Sequence, residues 1–317
     1  MSGTFLPPQP DGAAPSTRRR FLKGVSSAAA AAWIGLGKRA AGEPAVPNEA
    51  GLPTIALGKH GVSRLIVGSN PILGYSYLGP HTDRQMRHYF TPERTVALLR
   101  QCEQAGIDTH QFSSPDRAAP YLGPFREEGT KMRFICLHSE RDKIHEAVDA
   151  AAPIAMVHHG GVTDRLFAQG QAGRVRDYCK AVHDHGMLAG VSAHNPDCIR
   201  RAADEGWEVD LFMNSFYFIT RRSVEPDLDV PTLDVGHPFF RDDPQAMTAV
   251  MRQVDQPCLG FKILGAGRLC ANQAAVRAAF QYAFENIKPT DGVIVGMFPW
   301  HFDEVGANAT YTRELGA

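Results

Sequence analysis

Several features that would classify the chain immediately are missing from it. Its cysteines number six in 317 residues, Cys102, Cys136, Cys179, Cys198, Cys258 and Cys270, and none forms a CxxC pair or a metal-finger spacing. Zinc ribbons and dithiol redox motifs are thereby excluded. Several of the six sit inside apolar patterns, as small hydrophobes do, so no disulfide framework is expected. Neither sign of charge is in excess: 33 Lys and Arg against 34 Asp and Glu leave a net charge of −1, and no basic stripe marks a nucleic-acid partner. No glycine-rich dinucleotide fingerprint follows the first strand pattern, which argues against an open doubly wound sheet. The alanine-rich run from Gly24 to Gly37 is too short and too weakly apolar to span a bilayer.

That run belongs to an address. Thr17, Arg18, Arg19, Arg20, Phe21, Leu22 and Lys23 spell a twin-arginine export pattern just before it, and Ala40, Ala41 and Gly42 supply small residues for a signal peptidase. Residues 1–42 are expected to be a signal peptide read by the twin-arginine machinery. Residues 43–51, rich in proline and alanine, are expected to form a linker, and the destination is the periplasm or beyond. No cysteine stands beside the cleavage residues, so no stable membrane anchor is expected.

The remaining residues, 52–317, alternate short apolar runs with amphipathic stretches of ten or more, the rhythm of a parallel sheet wrapped by helices. The runs are RLIVGSN, GIDTHQF, MRFICLH, IAMVHH, MLAGVSA, VDLFMN, CLGFKIL and GVIVGMF. The about 275 residues left after the signal, with eight such units, suit one (β/α)8 barrel, here with a short N-terminal hairpin before its first strand. Thr91 before Pro92 reads as a helix cap. Two segments exceed ordinary loop length, Gly74 to Phe90 after the first barrel strand and Ser215 to Arg241 after the sixth. They are lids over the C-terminal mouth or surface decoration.

The phrase TIALGKHGVSRLIVGSN, followed in order by GIDTHQF, VHH, GVSAHN and VIVGMF…DEVGAN, resembles the aldo/keto reductases over most of the mature chain. The resemblance implies an NADP-linked oxidoreductase barrel with a tetrad of aspartate, tyrosine, lysine and histidine. Asp108 matches the aspartate, but Ser113 stands where the tyrosine belongs, and Leu137-His138-Ser139 replaces the strand-end lysine. His158 matches the histidine best by spacing, with His159 one step away. The nucleotide positions have changed too. Ser192-Ala193 replaces a serine-asparagine pair, Met213 a glutamine and Phe261 a stacking tyrosine. Gly296 and Asn308 remain, without the cations that would grip a 2′-phosphate. Hydride transfer from NADP is therefore disfavoured, though a rebuilt site remains an alternative.

What occupies the strand ends instead is a set of imidazoles: His110, His138, His158, His159 and His194. Barrel strand ends converge on one bowl, and Asp108, Glu140 and Asp164 lie nearby in sequence. Three readings stay open. His138, His158, His159 and His194 could share a divalent zinc or manganese ion; one histidine could serve as base and another as acid; or each could be held by loop backbone. Of the adjacent pair, only one can face the bowl. Lys262, within the seventh apolar run, could pair with an acid, polarise a substrate oxygen or form a Schiff base. The turn Gly265-Ala266-Gly267-Arg268 could hold an anion. Asn70, Asn195 and Asn214 could bind substrate hydroxyls, with Tyr75, Tyr77, Trp300 and His301 as walls.

These readings converge on an exported barrel enzyme performing non-reductive acid–base or metal-assisted chemistry, of lyase or isomerase type, on a small carbonyl or carbohydrate substrate, using Asp108, His138, His158, His159 and Lys262. The alternatives are an NADP-dependent reductase and a non-catalytic binding protein.

Overall fold

The computed structural model describes residues 51–221 and 237–317. The signal-peptide reading and nearly all of the linker therefore lie outside the described residues. Two short strands open the described chain, β1 (Thr54–Leu57) and β2 (His60–Ser63), paired antiparallel. Eight parallel strands follow and close on themselves: β3 (Leu65–Gly68), β4 (Thr109–Ser113), β5 (Arg133–His138), β6 (Ala155–His158), β7 (Leu188–Ala193), β8 (Leu211–Ser215), β9 (Cys258–Phe261) and β10 (Gly292–Gly296). Neighbours along the sequence are neighbours in the barrel, and β10 pairs β3 to complete the ring. The expected (β/α)8 barrel with its N-terminal hairpin is what the chain forms.

The hairpin plugs the barrel at the strands' N-terminal ends. Ile55, Leu57 and Val62 join Ile66, Ile135, Ala155, Val157, Leu211, Met213, Leu259, Phe261 and Ile294 in one interior cluster. A Cβ built at Gly58 of the hairpin turn would lie 2.9 Å from Leu188, which opens β7, and one built at Gly292, which opens β10, would lie 3.1 Å from Ile55. Because side chains alternate along a strand, the other parity faces outward. Phe134, Cys136, Met156, Val191 and Phe212 pack with the helices in a larger outer cluster.

The helices are α1 (Pro80–Tyr89), α2 (Pro92–Gln104), α3 (Pro115–Glu127), α4 (Ile144–Ala151), α5 (Gly160–Ala168), α6 (Gly173–Asp184), α7 (Pro196–Asp204), α8 (Asp243–Met251), α9 (Gln273–Asn286) and α10 (Glu304–Leu315). Thr91 caps α2 by accepting from the Arg94 amide, as the Thr-Pro start predicts. The fourth connection carries two helices, α5 and α6, separated around Gly170 at a left-handed φ of 70°. The long loop after β3 carries α1, which has no buried residue and lies over the barrel mouth. Of the long loop after β8, residues 222–236 lie outside the described set. The cysteines are all free, five of them buried.

Candidate active site

At the C-terminal mouth a cavity of about 310 Å³ opens between the ends of β3, β4, β9 and β10. Asn70 and Gln111 line one side, Tyr75 and Tyr77 come from the loop after β3, and Phe261 and Lys262 face them. Lys262 is the first residue beyond β9. Its backbone sits in the left-handed region, at φ 56°, and its carbonyl accepts the Gly265 amide to close a turn. A non-glycine residue held there costs roughly 1–2 kcal/mol. Tyr77, at φ 58°, is in the same condition, and the two touch: Lys262 Nζ lies 4.9 Å from the Tyr77 ring centroid and 4.4 Å from that of Phe261. Strain in both partners of one contact at a cavity wall marks a place where geometry has been kept against local preference.

Behind Lys262 stands a hydrogen-bonded series. Its Nζ is 3.3 Å from His194 Nε2, and His194 Nδ1 is 2.9 Å from Asp164 Oδ2. Asp164 projects from α5 and is buried. It also accepts from the backbone amides of His194 and Asn195, and from Thr220 Oγ1 at 2.7 Å. A carboxylate accepts only, so Nδ1 of His194 carries the proton. Nε2 is left as an acceptor for the lysine. Burial, with the Lys262 charge second, lowers the His194 pKa despite Asp164, keeping the ring neutral. Burial also brings Lys262 down from 10.5 to about 7, only partly opposed by the Asp164 charge. An amine near half-protonation at neutral pH thus ends a fixed Asp164–His194–Lys262 series at the cavity wall.

The strand parity answers the question of the adjacent histidines. His158 follows Met156 outward. Its Nδ1 is 2.7 Å from Thr163 Oγ1, its ring packs edge-on against Tyr178, and burial takes its pKa to about 3. His159 caps the start of α5 on the inward side. Its Nδ1 is buried without a partner, and burial, then the charges of His194 and Lys262, take it to about 4. Ser192 Oγ, also buried without a partner, would lie 2.9 Å from a Cβ added at Gly160, and His194 Cε1 would lie 3.2 Å from it. A side chain at 160 would crowd Ser192 and His194.

Several expected site residues are elsewhere. Asp108 precedes β4 and therefore lies at the barrel's closed end, where it accepts from the Ser63 amide and Thr109 Oγ1 and pairs with Arg133 at 2.9 Å. His110 points outward, between the Val67 carbonyl and the Tyr121 hydroxyl, fully buried and taken to about 4 by burial. Asn214 also points outward, its amide 3.6 Å from Met247 Sδ of α8. Asn195 caps α7 through the Asp197 amide. The proposed anion turn is already satisfied. The amides of Gly265, Gly267 and Arg268 go to backbone carbonyls, and the Arg268 guanidinium is bonded to the carbonyls of Gly265, Ala266, Tyr77 and His237. Arg268 is a staple between mouth loops. His138 ends β5 opposite His158, its Nδ1 accepting the Glu140 amide, and does not line the cavity. Glu140 pairs with Lys143. Trp300 stacks on Tyr89 outside the cavity.

A shared metal does not fit these residues. His194 has both ring nitrogens engaged and His158 its Nδ1, and among the described residues no group of three or more His, Cys, Asp or Glu side chains could hold an ion. NADP does not fit either. The face of Phe261 carries the Lys262 amine, and the far wall presents the half-buried carboxylate of Glu304, its pKa raised by burial, where the resemblance leads one to expect cations. The sequence reading missed Gln111, buried in the middle of β4 and inward by parity, and the contact of Tyr77 with Lys262.

No sequence family and no curated protein matches the chain. Solved structures do. The glycerol dehydrogenase AKR11B4 from Gluconobacter oxydans is 11% identical, with 83% of this chain and 90% of that one covered at a TM-score of 0.51. Gox0644 in its apo form is 10% identical, with 84% and 95% covered at 0.50, and a Gox0644 variant bound to NADPH gives 10%, with 84% and 88% covered, at 0.50. At such identities the likeness speaks for architecture alone. The chain has an aldo/keto reductase-like TIM-barrel fold.

Proposed function

We propose that this protein is an exported TIM-barrel enzyme that performs non-reductive acid–base chemistry on a small carbonyl or carbohydrate substrate. The observation that carries the reading is the Asp164–His194–Lys262 series, which ends in a near-neutral amine at the wall of a substrate-sized cavity. General acid–base groups work best when their pKa lies near the working pH. The expected proton acceptor passes from the histidines and Asp108 to Lys262, because Lys262 lines the cavity and they do not.

In this scheme the neutral Lys262 Nζ removes the proton from the carbon next to the carbonyl and returns it to the product. Asn70 and Gln111, from the adjoining β3 and β4 segments, line the cavity, and the Gln111 amide, which gives one N–H to the Phe112 carbonyl, keeps a second for the oxygen on which charge develops. His194 fixes the amine's position, and Asp164 fixes the tautomer of His194. Hydroxyl groups suit the tyrosine and amide walls. Export by the twin-arginine machinery is proposed from residues 17–23 and tested by replacing Arg18, Arg19 and Arg20 with lysine, which should trap the precursor inside the cell.

The catalytic reading is tested by incubating dihydroxyacetone and pyruvate with the enzyme in deuterated water near pH 7 and following loss of the proton signals beside the carbonyl. Exchange by the wild type and its loss in Lys262→Met supports the reading. Equal rates with and without the enzyme contradict it.

A further inference from the structure

We propose that Lys262 also acts as a nucleophile and binds its substrate covalently, as an imine of a small ketone or aldehyde. The inference rests on the acid–base reading of the same cavity and goes beyond it, since proton transfer by Lys262 requires no bond between nitrogen and carbon.

The first support is what the amine lacks. Among the described residues no carboxylate lies within ion-pairing distance of Lys262, whereas Lys143 and Lys288 each have one at 3.0 Å. Burying a lysine without a counter-ion favours its neutral form, the form with a lone pair to donate. The second is direction. The one hydrogen bond of Nζ goes to His194 Nε2, and the turn at φ 56° brings the side chain to the cavity wall. The third is the enclosure: the rings of Tyr77 and Phe261 lie 4.9 and 4.4 Å from Nζ and screen it from bulk water on two sides. Apolar, partly closed surroundings favour an iminium over its hydrolysis.

The step balances without an added reagent other than a proton from solvent. The amine lone pair attacks the carbonyl carbon, the π pair moves to oxygen, and oxygen takes a proton from solvent. The new ammonium passes one proton to His194 Nε2, giving a neutral carbinolamine. Asp164 stabilises the imidazolium so formed. That imidazolium returns the proton to the carbinolamine hydroxyl, which leaves as water while the nitrogen lone pair closes the C=N bond. The sum is a carbonyl, a neutral amine and a proton giving an iminium and water. His194 is placed for both transfers by its 3.3 Å contact. Once formed, the iminium withdraws electrons from the neighbouring carbon and makes its proton easier to remove.

The test uses 2,4-pentanedione, a β-diketone that turns a nucleophilic lysine into a stable enaminone with near-ultraviolet absorbance. At about pH 7 the full-length protein should gain one adduct, located at Lys262 by peptide mass, about a hundredfold faster than exposed Lys59 or Lys131. Lys262→Arg should lose that adduct and keep the slow background. Treatment with dihydroxyacetone and cyanoborohydride should fix a secondary amine at Lys262 and block the diketone. Labelling of Lys262 no faster than that of the exposed lysines overturns the proposal. If proton exchange on dihydroxyacetone persists without any trapped adduct, the covalent role falls and the acid–base reading stands. If both are absent, both fall.

Discussion

Replacing Lys262 by methionine should make the protein more stable in mild acid while removing its activity. Burial lowers the lysine from 10.5 to about 7, so between those values the unfolded chain holds a proton that the folded chain lacks. Stability therefore rises with pH through that window, and below it the folded state carries the full penalty of a buried ammonium. One pKa unit corresponds to about 1.4 kcal/mol, which puts the penalty at about 5 kcal/mol near pH 6 and about 1.4 kcal/mol near pH 9.5. Solvent reaches part of the side chain, so about half of each figure is the working expectation. Methionine keeps the apolar stem against Tyr77 and Phe261 and carries no charge. Urea unfolding of both proteins at the two pH values reads the gap directly. The variant should be more stable by roughly 2–3 kcal/mol near pH 6, with the advantage shrinking by most of that amount near pH 9.5. A variant less stable than wild type, or a gap independent of pH, would refute the claim that the fold holds this amine against its preference.

Other consequences follow from the same geometry. Asp164→Asn removes the charge that four donors address, so it should destabilise the fold by about 3 kcal/mol and move the Lys262 labelling profile to lower pH, both measurable on one preparation. Gly160→Ala places a methyl 2.9 Å from Ser192 Oγ and 3.2 Å from His194 Cε1, and should slow Lys262 labelling at least tenfold, whereas Gly161→Ala meets its nearest atom at 3.5 Å and should be neutral. Folding stability should fall as pH drops from 6.5 toward 4, because His110 and His159, both near 4 when folded, are neutral in the fold and protonated when unfolded. A flat urea midpoint across that range would count against their burial. Titration with NADPH should leave the cofactor's fluorescence unchanged, and saturable quenching would restore the reductase reading.

The barrel was legible because its signal is repeated eight times, and a repeated rhythm survives errors in any single element. The site was less legible, for two physical reasons. Strand boundaries read from sequence drift by a few residues, and one such drift moved Asp108 from the mouth to the closed end, since β4 begins at Thr109. Side-chain parity is the other. A strand-end residue faces the bowl or the helices according to a single step, which sends His110, His158 and Asn214 outward and leaves Gln111, His159 and His194 inward. Lys262 was legible because a lysine in an apolar run is a conflict that sequence exposes directly. The series behind it was not, since Asp164 reaches His194 from thirty positions earlier in the chain. The glycine turn at 265–267 misled for a different reason: amides that look available in sequence are bonded within the turn itself.

The most direct test of the account is an NMR titration of the Lys262 side chain in protein with isotope-labelled lysines, assigned by comparison with Lys262→Arg. A midpoint near 7, moving lower when Asp164 is replaced by asparagine, is the expected result. A midpoint near the ordinary lysine value of about 10.4 would contradict it.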